Sequence, residues 1–345
     1  MKYLVKMTPL EPYAFGTEQG FEYPGEEKTG KESYFVKSRF FPEQTTILGM
    51  LRYLVLQQQG LLKTDFSYDE NEQKQMTECV GKESFSFSSE GVQDFGYIYG
   101  VSPVFLLNNE EQIYIKNPFQ NNADKGYKPM RMKAGYKTDK GIISLPQEGE
   151  FDVKKWYASG YYNLNNGEIV NDIFDTHIVV GNRKNDKKEN SEDGFFKREI
   201  ITMKSGYSFG VFVEAKELPT ETIAYMGKKK SAFRIQSQEV ENGDLASIVE
   251  SAFKDHPDTW YYALSDILLD ESPIYEEFCI VEEKHLRNLE TVHSETSCLR
   301  KLKKRRIRYQ LIQSGSVFYR VCNLNVENEN CKKIGYNHLV RLGGN

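Results

Sequence analysis

An α+β fold in two domains is what this sequence predicts, and three observations carry the prediction. The chain has 345 residues, enough for two domains of ordinary size. Helical and β-rich runs follow one another in mixed order instead of the strict alternation of a parallel α/β sheet. A polar break, "ENGD", ends near Gly243 and sets the domains at 1–242 and 243–345.

The first element is "KYLVKMTPL", β-rich and closed by a proline, which reads as a strand. A glycine- and glutamate-rich loop is expected next. "FPEQTTILGMLRYLVLQQQG" then places Ile47, Leu48, Leu51, Leu54 and Val55 on one helical face, with Gly60 as the stop. From about 61 to 172, short apolar runs such as "YIYGVSPVFLL" and "QIYIKNPF" are separated by polar loops, and no long periodic element appears. That tract is expected to be an insertion, an elaborate loop layer on a simpler core. "THIVVGN", "GFFKREIITM" and "YSFGVFVEA" are expected as a meander of three strands. A short helical segment over "KELPTETIAYM" and a strand at "AFRIQSQEV" complete the order strand, helix, strand pair, helix, strand. That is the βαββαβ plan of a ferredoxin-like domain, the framework of RRM modules. The second domain opens with a helix, "DLASIVESAFKD", and continues through the β-rich runs "TWYYALSDILLD", "YEEFCIVEE", "RIRYQLI" and "SVFYRVC".

Composition excludes several classes. No run approaches the roughly 18 apolar residues of a membrane helix, and the N-terminus has no signal-peptide core, so a cytoplasmic protein with no membrane partner is expected. Five scattered cysteines without a C-x-x-C pair indicate reduced thiols. Five histidines show no ligand spacing, so no metal is expected, and no nucleotide loop is present. A net charge of −5 argues against indiscriminate coating of nucleic acid but leaves room for a local basic stripe.

Such a stripe exists. In "LRKLKKRRIRYQLI", Arg300, Lys301, Lys303, Lys304, Arg305, Arg306 and Arg308 fall within nine residues. Strand alternation then puts Ile307, Tyr309 and Leu311 on a core face and Arg306, Arg308 and Gln310 on a cationic one. A cationic strand face suits a phosphate backbone; a solvated basic loop is the competing reading. "GKKKSAFR" gathers Lys228, Lys229, Lys230 and Arg234 at a glycine turn. At the C-terminus Arg341 stands beside Gly343 and Gly344, which either admit a phosphate to the backbone or form a frayed tail. Gly49 interrupts the first helix, where glycine costs about 1 kcal/mol relative to alanine; close packing or the approach of a ligand would explain it.

Taken in order, "TPLEPYAFGTEQGF", "FPEQTTILGMLR", "GVSPVFLL", "IYIKNPF", "THIVVGNRK", "SEDGFFKREIITM", "GKKKSAFRI", "SGSVFYRV" and "GYNHLVRLGG" resemble the RAMP superfamily of CRISPR-associated proteins. They look most like the third-subunit family of the Cmr module in type III-B effectors. The resemblance implies two ferredoxin-like domains and does not imply an active site, and a non-catalytic chain without a cofactor is expected. It also implies a role in gripping the 5′ tag of the CRISPR RNA beside the large polymerase-like subunit and the backbone RAMP subunits. On it, Gly49 would allow close backbone approach and Arg52 would meet a phosphate. A repeat-processing endoribonuclease of the same superfamily, with His177 or His338 in acid–base chemistry, and a RAMP subunit of another type III system are the alternatives.

Overall fold

The computed structural model describes residues 1–23, 33–64, 67–89, 91–123, 126–138, 141–152, 159–184, 190–227, 230–256, 259–268, 278–287, 289–294, 297–304, 307–320 and 326–344. In chain order the elements are β1 (Lys2–Pro9), β2 (Phe15–Tyr23), β3 (Ser33–Arg39), α1 (Gln44–Gln58), α2 (Glu70–Val80), β4 (Ile98–Val101), β5 (Phe105–Asn108), β6 (Ile113–Lys116), β7 (Met132–Thr138), β8 (Gly141–Pro146), β9 (Tyr161–Asn163) and β10 (Ile169–Val170). Then come β11 (Phe174–Lys184), β12 (Asn190–Met203), β13 (Tyr207–Ala215), β14 (Glu221–Met226), β15 (Ser231–Glu239), α3 (Leu245–Phe253), β16 (Trp260–Ala263), β17 (Cys279–Ile280) and β18 (Glu283–Leu286). The chain closes with β19 (Leu289–Ser294), β20 (Ser297–Lys304), β21 (Tyr309–Ile312), β22 (Val317–Tyr319), α4 (Glu329–Lys333) and β23 (Leu339–Leu342). The protein is a strand-rich mixture of helix and sheet.

Strand β1 shows why the main sheet has two faces. Tyr3, Val5 and Met7 are buried while the residues between them are half-exposed, the period of a strand with one face on a core. It lies antiparallel between β13 and β15 in a sheet ordered β10-β9-β6-β5-β13-β1-β15-β14, with β4 also paired to β13. On one face α1 buries Ile47, Leu48, Leu51, Leu54 and Val55, the five residues its periodicity singled out, together with Met50. On the other face α3 brings Leu245, Val249 and Phe253 against Phe105, Leu107 and Phe212, and Trp260 and Tyr262 of the following lobe join that cluster.

Four expectations are corrected. The loop before the first helix contains the hairpin β2–β3. The tract 61–172 is no separate layer, because β4, β5, β6, β9 and β10 are strands of the main sheet; it also holds α2, started by a capping box between Asp69 and Glu72. The meander is divided: β11 and β12 form a sheet with β3 and β2, whereas β13 belongs beside β1. The segment expected as a short helix is the edge strand β14, with Ala224 and Met226 buried and Ile223 and Tyr225 exposed. Apolar residues on both faces concealed its period of two.

In the C-terminal lobe, β17-β22-β16-β23 form a sheet, while β18 pairs with β21 and β19 with β20. Strand β21 begins at Tyr309, so the expected core face extends only to Tyr309 and Leu311; Ile307 lies before the strand and is 53% exposed. Among the described cysteines, Cys79 and Cys279 are free thiols. No helix among the described residues is long and apolar enough to cross a membrane.

Candidate functional site

The two lobes meet around a cleft of about 710 Å³, within the range of small-molecule and cofactor sites. One wall is the β3–α1 connection from Arg39 to Gln44, with β6 and the start of β9; the other is the end of β16, the start of β18 and the turn at Gln313–Ser314. Tyr262 crosses between them, its hydroxyl donating to the Lys116 carbonyl at 2.8 Å. Burial raises the pKa of that phenol, keeping it a neutral donor.

Glu43 organises the floor. It is the N-cap of α1 and has the extended backbone of a cap, yet its side chain caps nothing. The carboxylate instead accepts from Lys284 Nζ at 2.9 and 3.1 Å and from the Tyr336 hydroxyl at 3.1 Å, and it pairs with Arg39. Lys284 also pairs with Asp266, whose other oxygen accepts from the Ser314 N–H at 2.9 Å. Arg39 donates to the His285 carbonyl at 2.9 Å. Higher up, Lys116 lies 4.7 Å over the Phe119 ring and 3.4 Å from Glu282; burial lowers its pKa against the pull of Glu282. Phe41 and Tyr161, with centroids 5.7 Å apart, add aromatic surface.

The cations of the lining, Arg39, Lys116 and Lys284, are matched by Glu43, Asp266, Glu282 and Glu283. A bare phosphate gains little in a cleft with that balance. A flat ring with hydrogen-bonding edges fits it better, since the walls offer aromatic faces together with carboxylates, hydroxyls and carbonyls.

Burial is the largest influence on the Lys284 ammonium and, despite Asp266, holds it down to about 8 from an ordinary value of 10.5. The folded chain therefore releases this proton more readily than the unfolded chain. Below pH 8 both states are charged and the cost of burying the ammonium is present in full. Between 8 and 10.5 unfolding takes up a proton, so this group's contribution to stability rises with pH. We expect the stability difference between wild type and Lys284→Met to be flat below pH 8 and to grow in favour of wild type above it. Denaturant titrations across that window would show this, and an unchanging difference would remove the ionisation.

The residues proposed from sequence lie elsewhere. Arg52 donates to the Glu83 carbonyl at 3.0 Å and lies 5.5 Å from the Phe95 ring centroid, tying α1 to the chain after α2. Arg234 pairs with Glu221 at 2.7 Å across β14 and β15, and Lys230 turns the chain there with φ 55°. Arg308 is exposed just before β21. Gly343 and Gly344 are buried, with φ of 72° and 74°, and the Gly344 N–H donates to the His256 carbonyl at 2.7 Å, so they form an ordered turn next to Arg341. None of these residues lines the cleft. Lys228, Lys229 and Arg306 lie outside the described residues. His177 is exposed on β11, and His338 bonds the Lys332 carbonyl through Nε2 at 3.1 Å.

Gly49 is resolved in one respect. A Cβ built there meets nothing within 4 Å, so close packing does not explain it. Gly49→Ala is therefore expected to stabilise the chain by up to about 1 kcal/mol. A rise in Tm would show it; a fall would indicate a neighbour at this surface.

The cleft residues Arg39, Glu43, Lys116, Asp266, Lys284 and His285 were missed because they come from stretches far apart in sequence, none of which shows more than two of them. The one local signal was "FFPEQ", an acidic residue between a proline and a helix that fails to cap it.

Comparison with known proteins gives a family match and structural matches. Residues 5–341 match a family model described as CRISPR-associated protein (Cas_Cmr3). Among solved structures, the chain resembles one in a type III-B Cmr-beta complex bound to cognate target RNA, at 14% identity and a TM-score of 0.49 over 99% of this chain and 98% of that one. It resembles one in a Csm3–Csm4 subcomplex of a type III-A interference complex, at 11% and 0.39 over 100% of both chains. It also resembles one in a Csm1–Csm4 cassette with pppApA, at 11% and 0.35 over 100% and 95%. No curated protein matches.

Proposed function

We propose, from the premise that the chain belongs to the Cas_Cmr3 family of CRISPR-associated proteins, that it is a non-catalytic RNA-binding subunit of a type III-B effector complex. It grips the 5′ tag of the CRISPR RNA and bridges the large polymerase-like subunit to the backbone RAMP subunits. The family match from residue 5 to 341 carries the reading. The inter-lobe cleft supports it: aromatic rings and paired charges suit splayed bases of a single strand, which is how RNA sequence is usually read.

Two ferredoxin-like domains are part of the proposal. Their support is strand order. In β5-β13-β1-β15 and again in β17-β22-β16-β23, the first strand in sequence lies between the third and the fourth, and the second lies outside the third. Helix α1 lies between the first and second strands of the former set, and α4 between the third and fourth of the latter.

Sequencing the RNA that copurifies with the chain from its native cell tests the function. A constant short 5′ tag followed by varied spacers is expected; whole repeats or assorted cellular RNA would overturn it. The endoribonuclease reading has one residue in its favour that sequence did not offer, His285, which lines the cleft next to Lys284. Repeat RNA cleaved by the wild-type chain and spared by His285→Ala would establish that alternative.

A further inference from the structure

Strand β14 ends the main sheet with an unprotected edge. It pairs with β15 from Glu221↔Gln236 to Met226↔Ser231 without a register shift, and among the described residues no strand lies on its other side. The Ser237 N–H donates to the Thr220 carbonyl at 2.9 Å, which makes those two residues a hydrogen-bonded pair. Antiparallel ladders alternate such pairs, so Thr222, Ala224 and Met226 direct their backbone groups at β15. The N–H and C=O of Glu221, Ile223 and Tyr225 therefore point outward. The other side of β15 agrees: the Leu10 N–H donates to the Ala232 carbonyl at 3.0 Å, so Ala232, which stands opposite Tyr225, turns its own groups toward β1.

Soluble proteins blunt such an edge with a lysine, a proline or a bulge. The strand "ETIAYM" has neither residue, and its ladder has no bulge. Ile223 and Tyr225 are 49% and 60% exposed, and Leu10, beside Ala232, is exposed as well. That combination of open backbone and apolar side chains is what an added strand requires.

Symmetry and charge identify the occupant. The outward residues are centred on Ile223, so a second β14 running antiparallel about a two-fold axis there sets Ile223 against Ile223 and Glu221 against Tyr225 in both directions. Each facing pair exchanges both of its hydrogen bonds, and no outward group is left over. The strand is also polar along its length. Glu221, half-exposed beside Arg234, begins it, and the exposed Lys230 stands in the turn that follows it, where its N–H donates to the Gly227 carbonyl at 3.1 Å. Antiparallel pairing brings the basic end of one copy to the acidic end of the other, whereas parallel pairing would gather like charges.

We propose that a second copy of this chain docks on β14 and joins two main sheets into one across a two-fold axis at Ile223. The contact is made by backbone and apolar side chains, and it does not depend on the RNA-binding reading.

The test is sedimentation of the full chain, alone, over a dilution series, with thiol cross-linking to fix the register. Wild type is expected as a dimer that dissociates on dilution, and Ile223→Val should keep it. Ile223→Glu faces Arg234 within its own copy but puts two carboxylates together at the axis, so the dimer should be lost at every concentration while Tm is kept. Under mild oxidant Ile223→Cys should form a disulfide-linked dimer, since facing residues of a hydrogen-bonded pair have Cα atoms about 5.5 Å apart. Tyr225→Cys should not, because the two copies of that position lie about 13 Å apart along the strands. Wild type under the same oxidant gives the background of its own five thiols. A monomer at all concentrations, a dimer that survives Ile223→Glu, or equal cross-linking at 223 and 225 would overturn the proposal. So would a monomeric wild type whose Ile223→Glu variant fails to join the other effector subunits, which would assign the edge to one of them.

Discussion

Gly335→Ala destabilises the protein by about 3 kcal/mol or more, and it does so at the seam between the lobes. Gly335 follows α4 with φ 91°, in the left-handed region. Its N–H donates to the Lys332 carbonyl at 3.1 Å and the Tyr336 N–H to the Cys331 carbonyl at 2.9 Å, the two bonds of a Schellman ending. An L-residue in that conformation costs about 1–2 kcal/mol. The larger part of the loss comes from contact: a Cβ would stand 2.6 Å from the Ser102 carbonyl oxygen and 2.7 Å from Gln44 Nε2. Gln44 is the first residue of α1, it is buried, and its amide donates to the Gly335 carbonyl at 3.2 Å. The added methyl therefore pushes the C-terminal lobe away from the helix that floors the cleft. The expected result is a fall in Tm of several degrees, with loss of RNA binding exceeding the loss of folded protein. A Tm within one degree of wild type would mean that the seam relaxes freely. Gly49→Ala is the internal comparison, since the same substitution in the same chain is expected to have the opposite sign.

These two glycines mark what could be read from sequence and what could not. Gly49 was conspicuous because it broke a helical period, yet the structure leaves open space beside it. Gly335 passed unnoticed within "CKKIGYNH" although lysines followed by glycine are a helix-stop signal, because α4 spans only Glu329–Lys333 and has no period to display. Local pattern identified β1, α1, β15 and α3, where one buried face imposes a repeat. It missed α2, whose buried residues are only Met76 and Cys79. Strand propensity in "GFFKREIITM" and "YSFGVFVEA" was plain, but propensity does not name partners, and the two runs went to different sheets. The cleft could not be seen for the same reason: its charges come from β6, the β3–α1 connection, the end of β16 and β18. The basic run was visible as composition, but its pairing with Leu289–Ser294 was not.

Glu43→Gln should have the second large effect. The substitution keeps the shape of the side chain and removes the charge that faces Arg39 and Lys284. The three side chains are 12%, 18% and 14% exposed respectively, and Tyr336 donates to the same carboxylate. Removing one partner of a buried ion pair costs about 3–5 kcal/mol. This cluster keeps some contact with water and Asp266 continues to pair with Lys284, so about 2–3 kcal/mol is expected. The loss should shrink when Lys284→Met is added, because the ammonium left without Glu43 is then gone as well. A coupling of about 1 kcal/mol or more in the double-mutant cycle would show that the pair spans the lobes as a unit. Additive losses would mean that Arg39 and Tyr336 hold Glu43 without help from Lys284. The binding readout points the other way. Losing one carboxylate leaves the cleft less negative, so binding of RNA of any sequence should strengthen per folded molecule while the preference for the tag narrows. If affinity and preference instead fell together, Glu43 would be contacting the RNA itself, as an acceptor for an exocyclic amine of a base.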